Sequence, residues 1–524
     1  MSFFSTRGGA CVTASQAILW GLAKDGGLYV PSMFPQLSSE RMASLCGASY
    51  QEQAARILRD YLEDYTIAEI EQSVNAAYDD KHFDDPAVTP LHTLMPDVHV
   101  LELFHGPTLA FKDVALNLLP HLIRLAAKKN DEEREISILV ATSGDTGKAA
   151  LEGFKDVPGT SCTVFYPYGG VSRMQELQMA TTGGGNTHVI GVKGNFDDAQ
   201  TGVKRLFSSA EFREKMNAMG KLPSSANSIN FGRLAPQIVY YFNAYTQLVQ
   251  KHSIRMGQSV NFVVPTGNFG DILAGYYAMR MGLPIARLLC ASNRNNVLTD
   301  FFADGTYYTH RAFFQTMSPS MDILISSNLE RLLFESTGRD PALVREWMAL
   351  LSSEGGSFSI GAQRLKELKK TFWAGYADDF MTAAEIRRIL SFAGREDLFP
   401  QVFPGSETYL PDEKTPVPSP AADRICTIGM EYSSERPLYV VAIGAITNVA
   451  SALIRKPELK ERIVVVWLGG HALDWPDSRE FNMMQDVAAA RVVFGCGVPL
   501  VQLPCMGVVS SFAVSEAELL MWLS

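Results

Sequence analysis

Short apolar runs that alternate with helical patterns dominate the chain from about residue 97 onward, and they constrain its fold more than any other feature. Runs that are apolar at nearly every position predict strands buried on both faces, and strands separated by helices are typical of a parallel sheet covered on each side. The sequence therefore predicts an α/β fold with mainly parallel sheets. The runs are VHVLEL (98–103), ISILVAT (136–142), SCTVFY (161–166), THVIGV (187–192), VNFVVP (260–265) and IARLLCAS (285–292).

The two ends of the chain differ from this central pattern. In residues 1–90 the apolar positions recur every three or four residues, most clearly over 50–80, which predicts a small helical N-terminal region. A stretch rich in proline and charge at 404–420 predicts a surface loop or linker, and strand–helix alternation resumes after it. A chain of 524 residues is too long to fold around a single hydrophobic core, so we expect two or more domains. The part after 404–420 is too short for a complete α/β domain of its own.

Charge and cysteine content narrow the function classes. The net charge of −10 argues against broad binding to nucleic acids or anionic membranes, although it permits a local basic pocket. The N-terminus lacks the pattern of a signal peptide, and no apolar run reaches membrane-spanning length. Seven scattered cysteines without CxxC spacing indicate reduced thiols and no metal site. We therefore expect a cytoplasmic protein, whose charge still permits a pocket for an anionic small molecule.

The motif LELFHGPTLAFKDVAL (101–116) places Lys112 after a Gly-Pro turn and among apolar residues. Burial of an ammonium group is costly and lowers its pKa, which would make this amine available for a Schiff base. The alternative is a surface lysine that extends from the first turn of a helix. Local spacing alone favours that alternative.

Two further motifs place glycines and polar groups between a strand and a helix. ATSGDTGKAA (141–150) offers hydroxyls and free backbone N–H groups, where an anion binds well, although Ser143, Asp145 or Thr146 could simply cap the helix. VVPTGNFGDILAG (263–275) could form a backbone nest for a phosphate, or an ordinary strand-to-helix turn. It is neither a P-loop nor a dinucleotide fingerprint.

The segment SSANSINFGRLAPQIVYY (224–241) predicts an amphipathic helix with Arg233 in its first turn. A cation there opposes the helix dipole, so an anionic ligand would explain it. A solvated or carboxylate-paired arginine is the alternative.

Taken together and in this order, STRGG, DGGLYVP, HGPTLAFKD, ATSGDTG, SANSIN, PTGNFGD and MRMGLP make the chain up to about residue 390 resemble the threonine synthases, which are fold-type-II pyridoxal-phosphate enzymes. The resemblance implies that Lys112 forms the Schiff base with the cofactor. Arg233, chosen from its charge and neighbours, is a candidate for the substrate phosphate. The loop implied for the cofactor phosphate is Gly267, Asn268, Phe269 and Gly270, and the loop implied for the substrate and the cofactor ring is Thr142, Ser143, Gly144, Asp145 and Thr146.

The implied reaction converts O-phospho-L-homoserine and water into L-threonine and phosphate. The cofactor would serve as the electron sink, and Lys112 would move protons at the α and β carbons of the substrate. An anion pocket would stabilise the phosphate that leaves the γ carbon. The resemblance also implies a monomer or a homodimer.

Beyond about residue 390 the threonine synthase pattern, with its expected C-terminal motif, is not found. Residues 391–524 instead resemble the middle of an inosine-uridine-type nucleoside hydrolase, a partial Rossmann-like α/β segment, through PLYVVAIGAITNVASAL, RIVVVWLGGHA and REFNMMQDVAAARVVFGCGVPL. On this match Thr447 would correspond to a calcium-ligating carbonyl, and Glu480 and Asn482 to ribose-binding groups. The alternatives are a helix N-cap for Thr447 and a surface loop for the other two.

The hydrolase family also requires an N-terminal aspartate cluster and a late His-Asp pair, neither of which is found. Because calcium takes about six to eight oxygen ligands, we expect this part to lack hydrolase activity. The predicted division is an N-terminal helical region at 1–90, a catalytic domain truncated at its C-terminus at 91–390, and a hydrolase-like fragment at 391–524, joined within about 385–398.

Three other functions remain open at this point. A dehydratase of the same cofactor class is one, although HGPTLAFKD argues against it. A fusion or scaffold that binds pyridoxal phosphate without turnover is another. A nucleoside hydrolase is the third, and the missing aspartates make it the weakest.

Overall fold

The computed structural model describes residues 1–95, 97–142, 144–171, 173–194, 196–314, 316, 318–353, 356–376, 387, 390–391, 395–471 and 480–504. The chain divides into two compact units, Met1–Asp379 and Phe380–Ser524. No helix in the described part is both long and apolar enough to cross a membrane.

The first unit begins with the predicted helical region. Three of its helices start at capping boxes, whose first residues are Thr13, Ser49 and Thr66. The hydroxyl of each accepts from the backbone N–H three residues on, and the Gln or Glu side chain at that position accepts from the backbone N–H of the Thr or Ser. Each box satisfies two otherwise unpaired N–H groups, so these helix starts are encoded locally. The elements are β1 (Phe3–Ser5), α1 (Ala14–Trp20), β2 (Tyr29–Pro31), α2 (Ser39–Leu45), α3 (Tyr50–Leu58) and α4 (Ile67–Ala77).

The strand that precedes Lys112 differs from the sequence prediction. The predicted strand 98–103 pairs antiparallel with the run just before it, as β3 (Leu91–Met95) and β4 (Val98–Leu101), and does not join a parallel sheet. Two helices follow Lys112, α5 (Asp113–Leu116) and α6 (Leu119–Lys129). Pro120 lies at the start of α6, where a missing N–H costs nothing.

The first parallel sheet has four strands in the order β7-β6-β5-β8. Its central strand β5 is buried along almost its whole length, as its continuous apolar run predicts. The strands are β5 (Glu135–Ala141), β6 (Thr160–Pro167), β7 (Thr187–Val192) and β8 (Lys221–Ser224). The intervening helices are α7 (Asp145–Phe154), α8 (Arg173–Ala180), α9 (Phe196–Ser208) and α10 (Ala210–Ala218).

The second parallel sheet has three strands in the order β13-β10-β9. Helix α11 (Phe231–Gln250) is buried along nearly its whole length, and α12 (Gly270–Arg280) packs against it. The strands are β9 (Val260–Pro265), β10 (Ile285–Ser292) and β13 (Phe372–Tyr376), with an antiparallel pair β11 (Thr306–Tyr308) and β12 (Ser357–Ser359). The remaining helices are α13 (Val297–Asp304), α14 (Leu329–Ser336), α15 (Pro341–Leu351) and α16 (Ala362–Leu368).

The two residues that follow β1 are joined to α14 by a polar network. The Thr6 hydroxyl donates to Glu330 at 2.6 Å, and the Arg7 guanidinium donates two hydrogen bonds to the same carboxylate, at 2.9 and 2.8 Å. A bidentate Arg–carboxylate pair is among the stronger polar contacts in proteins. Segments more than 320 residues apart in the chain therefore share one polar network.

The second unit has its own apolar core, which includes Ile446, Leu453, Val465, Trp467 and Val493. Its three strands are parallel, as the strand–helix alternation predicts, and lie in the order β14-β15-β16. The strands are β14 (Leu438–Ala442), β15 (Ile463–Leu468) and β16 (Leu500–Leu503). The helices are α17 (Pro420–Gly429), α18 (Thr447–Arg455), α19 (Phe481–Gln485) and α20 (Val487–Gly495).

Candidate active site

The loops that follow β5 and β9, together with the start of α5, surround one cleft in the first unit. Parallel sheets bind ligands at the carboxyl ends of their strands, where such loops meet. The lining contains the candidates Lys112, Thr146, Arg233, Gly267, Asn268 and Gly270. It also contains Phe111, Asn227, Ser228, Gln237, Pro265, Asp271, Ser320 and Met321.

Lys112 lies at the N-terminal end of α5 and is only 7% exposed, so the alternative of a surface lysine is wrong. Its Nζ atom is 3.4 Å from Oδ2 of Asp145 and 4.5 Å from the centre of the Phe111 ring. Burial lowers the pKa of the Lys112 ammonium; Asp145 opposes this shift, and Arg233 adds to it. The amine is therefore easier to deprotonate than an ordinary lysine.

Asp113, the residue after the lysine, fixes the Gly-Pro turn that precedes it. Its carboxylate accepts from the backbone N–H of Thr108 at 2.8 Å and from the Thr108 hydroxyl at 2.6 Å. A Cβ atom at Gly106 would lie 2.4 Å from the Cβ of Asp113, so the turn must contain glycine at that position. The motif HGPTLAFKD thus encodes a rigid support for Lys112.

The loop after β5 is organised by Thr142. This side chain is buried, and its hydroxyl accepts from the backbone N–H groups of Gly144 and Gly147 at 2.9 and 2.8 Å. Gly144 has a φ of +139°, a conformation that L side chains rarely adopt. Ser143 lies outside the described residues, and Thr146 faces the cleft.

Asp145 points into the site, so the alternative that it caps α7 is wrong. Its Oδ1 accepts from the Gln175 amide at 2.7 Å, while Oδ2 faces Lys112. Burial opposes ionisation, but Lys112, Gln175 and the Ser320 side chain together hold the Asp145 pKa below its ordinary value. Asp145 is therefore an anion at neutral pH.

The loop 266–270 forms a tight cradle at the start of α12. Phe269 adopts a left-handed conformation with a φ of +65° at the N-cap position, and its side chain accepts no hydrogen bond from the helix. Among the described residues, the buried Oδ1 of Asn268 has no hydrogen-bond partner. Uncapped N–H groups at a helix N-terminus bind phosphate, so the residues at this position suit the phosphate of a cofactor.

Asp271, in the first turn of α12, was not predicted from the sequence. Its Oδ1 accepts from the Ile272 N–H at 2.8 Å and lies 3.4 Å from the Thr266 hydroxyl. Burial raises its pKa from 3.8 to about 6. Asp271, which lies in the same cleft as Lys112, is therefore protonated over a wider pH range than an ordinary aspartate.

Arg233 is 2% exposed, so it is not a solvated arginine. Its Nη1 atom donates to the Ala226 carbonyl at 2.6 Å, and its Nε atom has no partner among the described residues. Burial lowers its pKa to about 10, yet the group stays charged at neutral pH. The cleft therefore contains a buried cation with unused hydrogen-bonding capacity.

The site residues that the sequence reasoning did not name include Gln175, Asp271, Ser320 and Met321. Asp271 directly follows the predicted cradle, and an acidic residue in a first helical turn was an available indication. The other three come from distant segments and lack a local motif. Only the folded sheets bring them to Lys112.

In the second unit, the three candidate residues stabilise the local structure. The Thr447 hydroxyl donates to Asp486 at 2.6 Å, and α18 begins at Thr447 itself, so the N-cap alternative is wrong. Glu480 is buried and accepts from Gly470 N–H at 2.8 Å as well as capping α19, so it is not in a surface loop. Asn482 donates to the Leu468 carbonyl at 2.8 Å. Among the described residues no three acidic, His or Cys side chains form a metal cluster.

Three protein-family models match the chain. Threonine synthase N terminus matches residues 2–78, Pyridoxal-phosphate dependent enzyme matches 85–356, and Inosine-uridine preferring nucleoside hydrolase matches 371–522. The composite resemblance inferred from the sequence is thus confirmed, and pyridoxal phosphate is the cofactor of the first part.

Individual proteins agree with these matches. Threonine synthase of Pseudomonas aeruginosa is 41% identical over 396 residues, which cover 75% of this chain and 81% of that protein. Human threonine synthase-like 1 is 37% identical over 457 residues, 85% of this chain but only 58% of that protein.

Solved structures show the same fold. A pyridoxal-phosphate-bound threonine synthase from Brucella melitensis has a TM-score of 0.67 and 44% identity, and covers 75% of this chain and 82% of its own. Yeast threonine synthase has a TM-score of 0.67 and 33% identity, with 76% and 84% covered. The chain belongs to the threonine synthase family of pyridoxal-phosphate-dependent enzymes.

Proposed function

We propose that this chain converts O-phospho-L-homoserine and water into L-threonine and phosphate. The observation that carries the proposal is that a single cleft contains one buried amine and two separate anion-binding elements. The amine is that of Lys112, and the two elements are the uncapped start of α12 and the Arg233 guanidinium. A reaction that involves a phosphorylated cofactor and a phosphorylated substrate requires both.

The cofactor would be held by the amine of Lys112 and, at its phosphate, by Gly267, Asn268, Phe269 and Gly270. When bound, it supplies an electron sink for charge that develops at the substrate α carbon. The described cradle supports this assignment because its N-cap residue, Phe269, provides no side-chain acceptor and a Cβ atom at Gly267 would contact neighbouring backbone at 3.1 Å.

Lys112 would accept a proton from the substrate α carbon and return protons at the adjacent carbons. Its lowered pKa supports this role, since a proton carrier works best when its pKa is near the working pH. The Asp145 carboxylate limits the shift, so that Lys112 can still take up a proton. The loop from Thr142 through Ser143 and Gly144 to Thr146 would hold the substrate and the cofactor ring.

Arg233 would bind the substrate phosphate and stabilise it as it leaves the γ carbon. Its burial supports this role, because a cation that is shielded from water interacts more strongly with an anion. The partly unused guanidinium leaves donors for phosphate oxygens.

We further propose three parts with different roles. The helical region 1–90 supports the catalytic domain at 91–390, and 391–524 folds as a hydrolase-like unit without hydrolase activity. The polar groups of Thr447 and Glu480 are occupied by Asp486 and by backbone N–H groups, which supports the last statement. A monomer or a homodimer would serve this function equally.

The test compares the full chain with Lys112→Ala and with the control Lys221→Ala, which removes a half-exposed ion pair with Glu135. The wild type and the control should release phosphate and form threonine from O-phosphohomoserine, and should lose their visible absorbance on borohydride treatment. Lys112→Ala should form no threonine, release no phosphate and show no absorbance that borohydride removes.

Each other outcome selects an alternative. A Lys112→Ala protein that keeps a borohydride-sensitive chromophore contradicts the lysine assignment. A coloured wild type without threonine formation supports the alternative that the chain only binds the cofactor. Release of a base from inosine supports a nucleoside hydrolase.

A further inference from the structure

The segment 318–328, between β11 and α14, forms the back wall of the proposed phosphate cradle. A Cβ atom at Gly267 would lie 3.1 Å from the Ser320 carbonyl oxygen and from the Met321 Cα, so backbone packs directly on backbone here. The Ser326 hydroxyl donates to the Gly267 carbonyl at 2.6 Å, and the Asn328 N–H donates to the Asn268 carbonyl at 3.0 Å. The position of the cradle therefore depends on the position of this segment.

Asp322 is the anchor of the segment. Its side chain is 4% exposed, and its Oδ1 accepts from the amides of Asn293 and Asn295 at 2.8 and 3.0 Å. Thr316 donates to it twice, from its hydroxyl to Oδ1 at 2.7 Å and from its N–H to Oδ2 at 2.9 Å. A buried carboxylate that accepts four hydrogen bonds fixes the groups around it.

This network joins two neighbouring strand ends. Asn293 and Asn295 directly follow β10, while the cradle directly follows the adjacent strand β9. The Asp322 contacts therefore tie the segment to one strand end, and the Gly267 and Asn268 contacts tie it to the other. The same segment contains Asn328, whose buried Nδ2 lies beside Gly270 and has no partner among the described residues.

We infer that Asp322 is a positioning residue for the cofactor phosphate. It fixes the segment 318–328 against Gly267 and Asn268, and so sets the geometry of a cradle that it does not itself touch. The inference rests on the proposed assignment of that cradle to the phosphate of pyridoxal phosphate.

The test measures the dissociation constants of pyridoxal phosphate and of pyridoxal, which lacks the phosphate, by absorbance titration of the cofactor-free full chain. Asp322→Asn keeps the shape of the side chain but replaces one carboxylate oxygen by an NH₂ group. This group cannot accept the hydrogen bonds that the surrounding donors make to Asp322. It should weaken pyridoxal phosphate binding about tenfold or more and leave pyridoxal binding within about twofold. Thr316→Val, which removes one of the four hydrogen bonds to Asp322, should shift the constant in the same direction by a smaller factor.

Asp486→Asn is the matched control. Asp486 is also buried and accepts three hydrogen bonds, but it lies in the second unit. It should leave both constants unchanged. Hydrogen exchange of the cofactor-free chain supplies a second readout: Asp322→Asn should speed exchange of peptides that contain Gly267–Gly270.

The outcomes separate the inference from the function on which it rests. If the wild type does not prefer pyridoxal phosphate over pyridoxal, the cradle assignment is wrong and the inference fails with it. If the wild type has this preference and Asp322→Asn retains it in full, only the inference is overturned. An equal loss of affinity for both compounds indicates general destabilisation and likewise overturns it.

Discussion

Asp145 divides its two carboxylate oxygens between two partners: Oδ2 lies 3.4 Å from Nζ of Lys112, and Oδ1 accepts from Nε2 of Gln175 at 2.7 Å. The carboxylate stabilises the charged form of the lysine against the effect of burial. The pKa of Lys112 therefore depends on Asp145, which lies in a separate segment, just after strand β5.

Asp145→Asn should lower the pKa of Lys112 further, because it removes the charge that opposes the shift while keeping a group of the same size. The pH dependence of Lys112 acetylation in the cofactor-free chain, followed by peptide mass spectrometry, measures this. The midpoint should move to lower pH. Asp156→Asn, at a surface turn, serves as the control and should not move it.

Gly267→Ala should weaken pyridoxal phosphate binding about tenfold or more, because the new Cβ would contact Ile323, Met321 and Ser320 at 3.1 Å, two of these contacts being with backbone. Gly202→Ala, in α9, has open space around the new Cβ and should preserve binding. It should also stabilise its helix by up to about 1 kcal/mol. Equal affinities of the two variants would contradict the cradle assignment.

Asp271 should make the stability of the first unit depend on pH. Its folded pKa of about 6 exceeds the ordinary 3.8, so its contribution to stability is complete below about pH 4 and is lost as the pH rises through about 6. Asp271→Asn removes this loss, which amounts to no more than about 3 kcal/mol. The difference in Tm between the variant and the wild type should grow from pH 4 to pH 7; a constant difference would contradict the assignment.

Arg233→Met should raise the KM for O-phosphohomoserine by about a hundredfold, since a charge-assisted hydrogen bond to phosphate contributes about 1.5–3 kcal/mol. Inorganic phosphate should inhibit the wild type competitively and the variant far less. Arg255→Met, at an exposed turn, provides the control. If phosphate inhibits Arg233→Met as strongly as the wild type, another group binds the substrate phosphate.

Asp486→Ala should destabilise the second unit by about 2–4 kcal/mol, because it leaves the Leu410 N–H, the Ala489 N–H and the Thr447 hydroxyl without their acceptor. Thr447→Val, which removes a single donor, should cost about 1 kcal/mol. Proteolysis at increasing urea, read out by mass spectrometry, can assign unfolding to Phe380–Ser524 separately. Loss of stability in the first unit instead would contradict the local role of Asp486.

Much of the fold could be predicted from local pattern. Strands β7, β9 and β10 have the bounds that the apolar runs give, since a polar residue directly follows each run. The strand 98–103 was different. Its apolar run carries no information about its partner, and the neighbouring run Leu91–Met95 pairs with it through a short turn.

The sequence could identify residues of the candidate cleft where they lie within one motif, as Lys112 and Gly267 do. It could not identify them where function depends on contacts between distant segments. Gln175 reaches Asp145 across 30 residues of sequence, and Asp322 meets Asn295 across 27. A single glutamine or aspartate in a helix or loop gives no indication of such a partner.

The buried contact of Thr6 and Arg7 with Glu330 has a consequence for the order of events during synthesis. Thr6 and Arg7 are synthesised more than 300 residues before their acceptor carboxylate. The capped helices α1, α3 and α4 can form early because their starts are encoded locally. The contact of Thr6 and Arg7 with Glu330, however, can form only after α14 has emerged, so a nascent chain arrested before residue 330 should leave these two residues accessible to a protease.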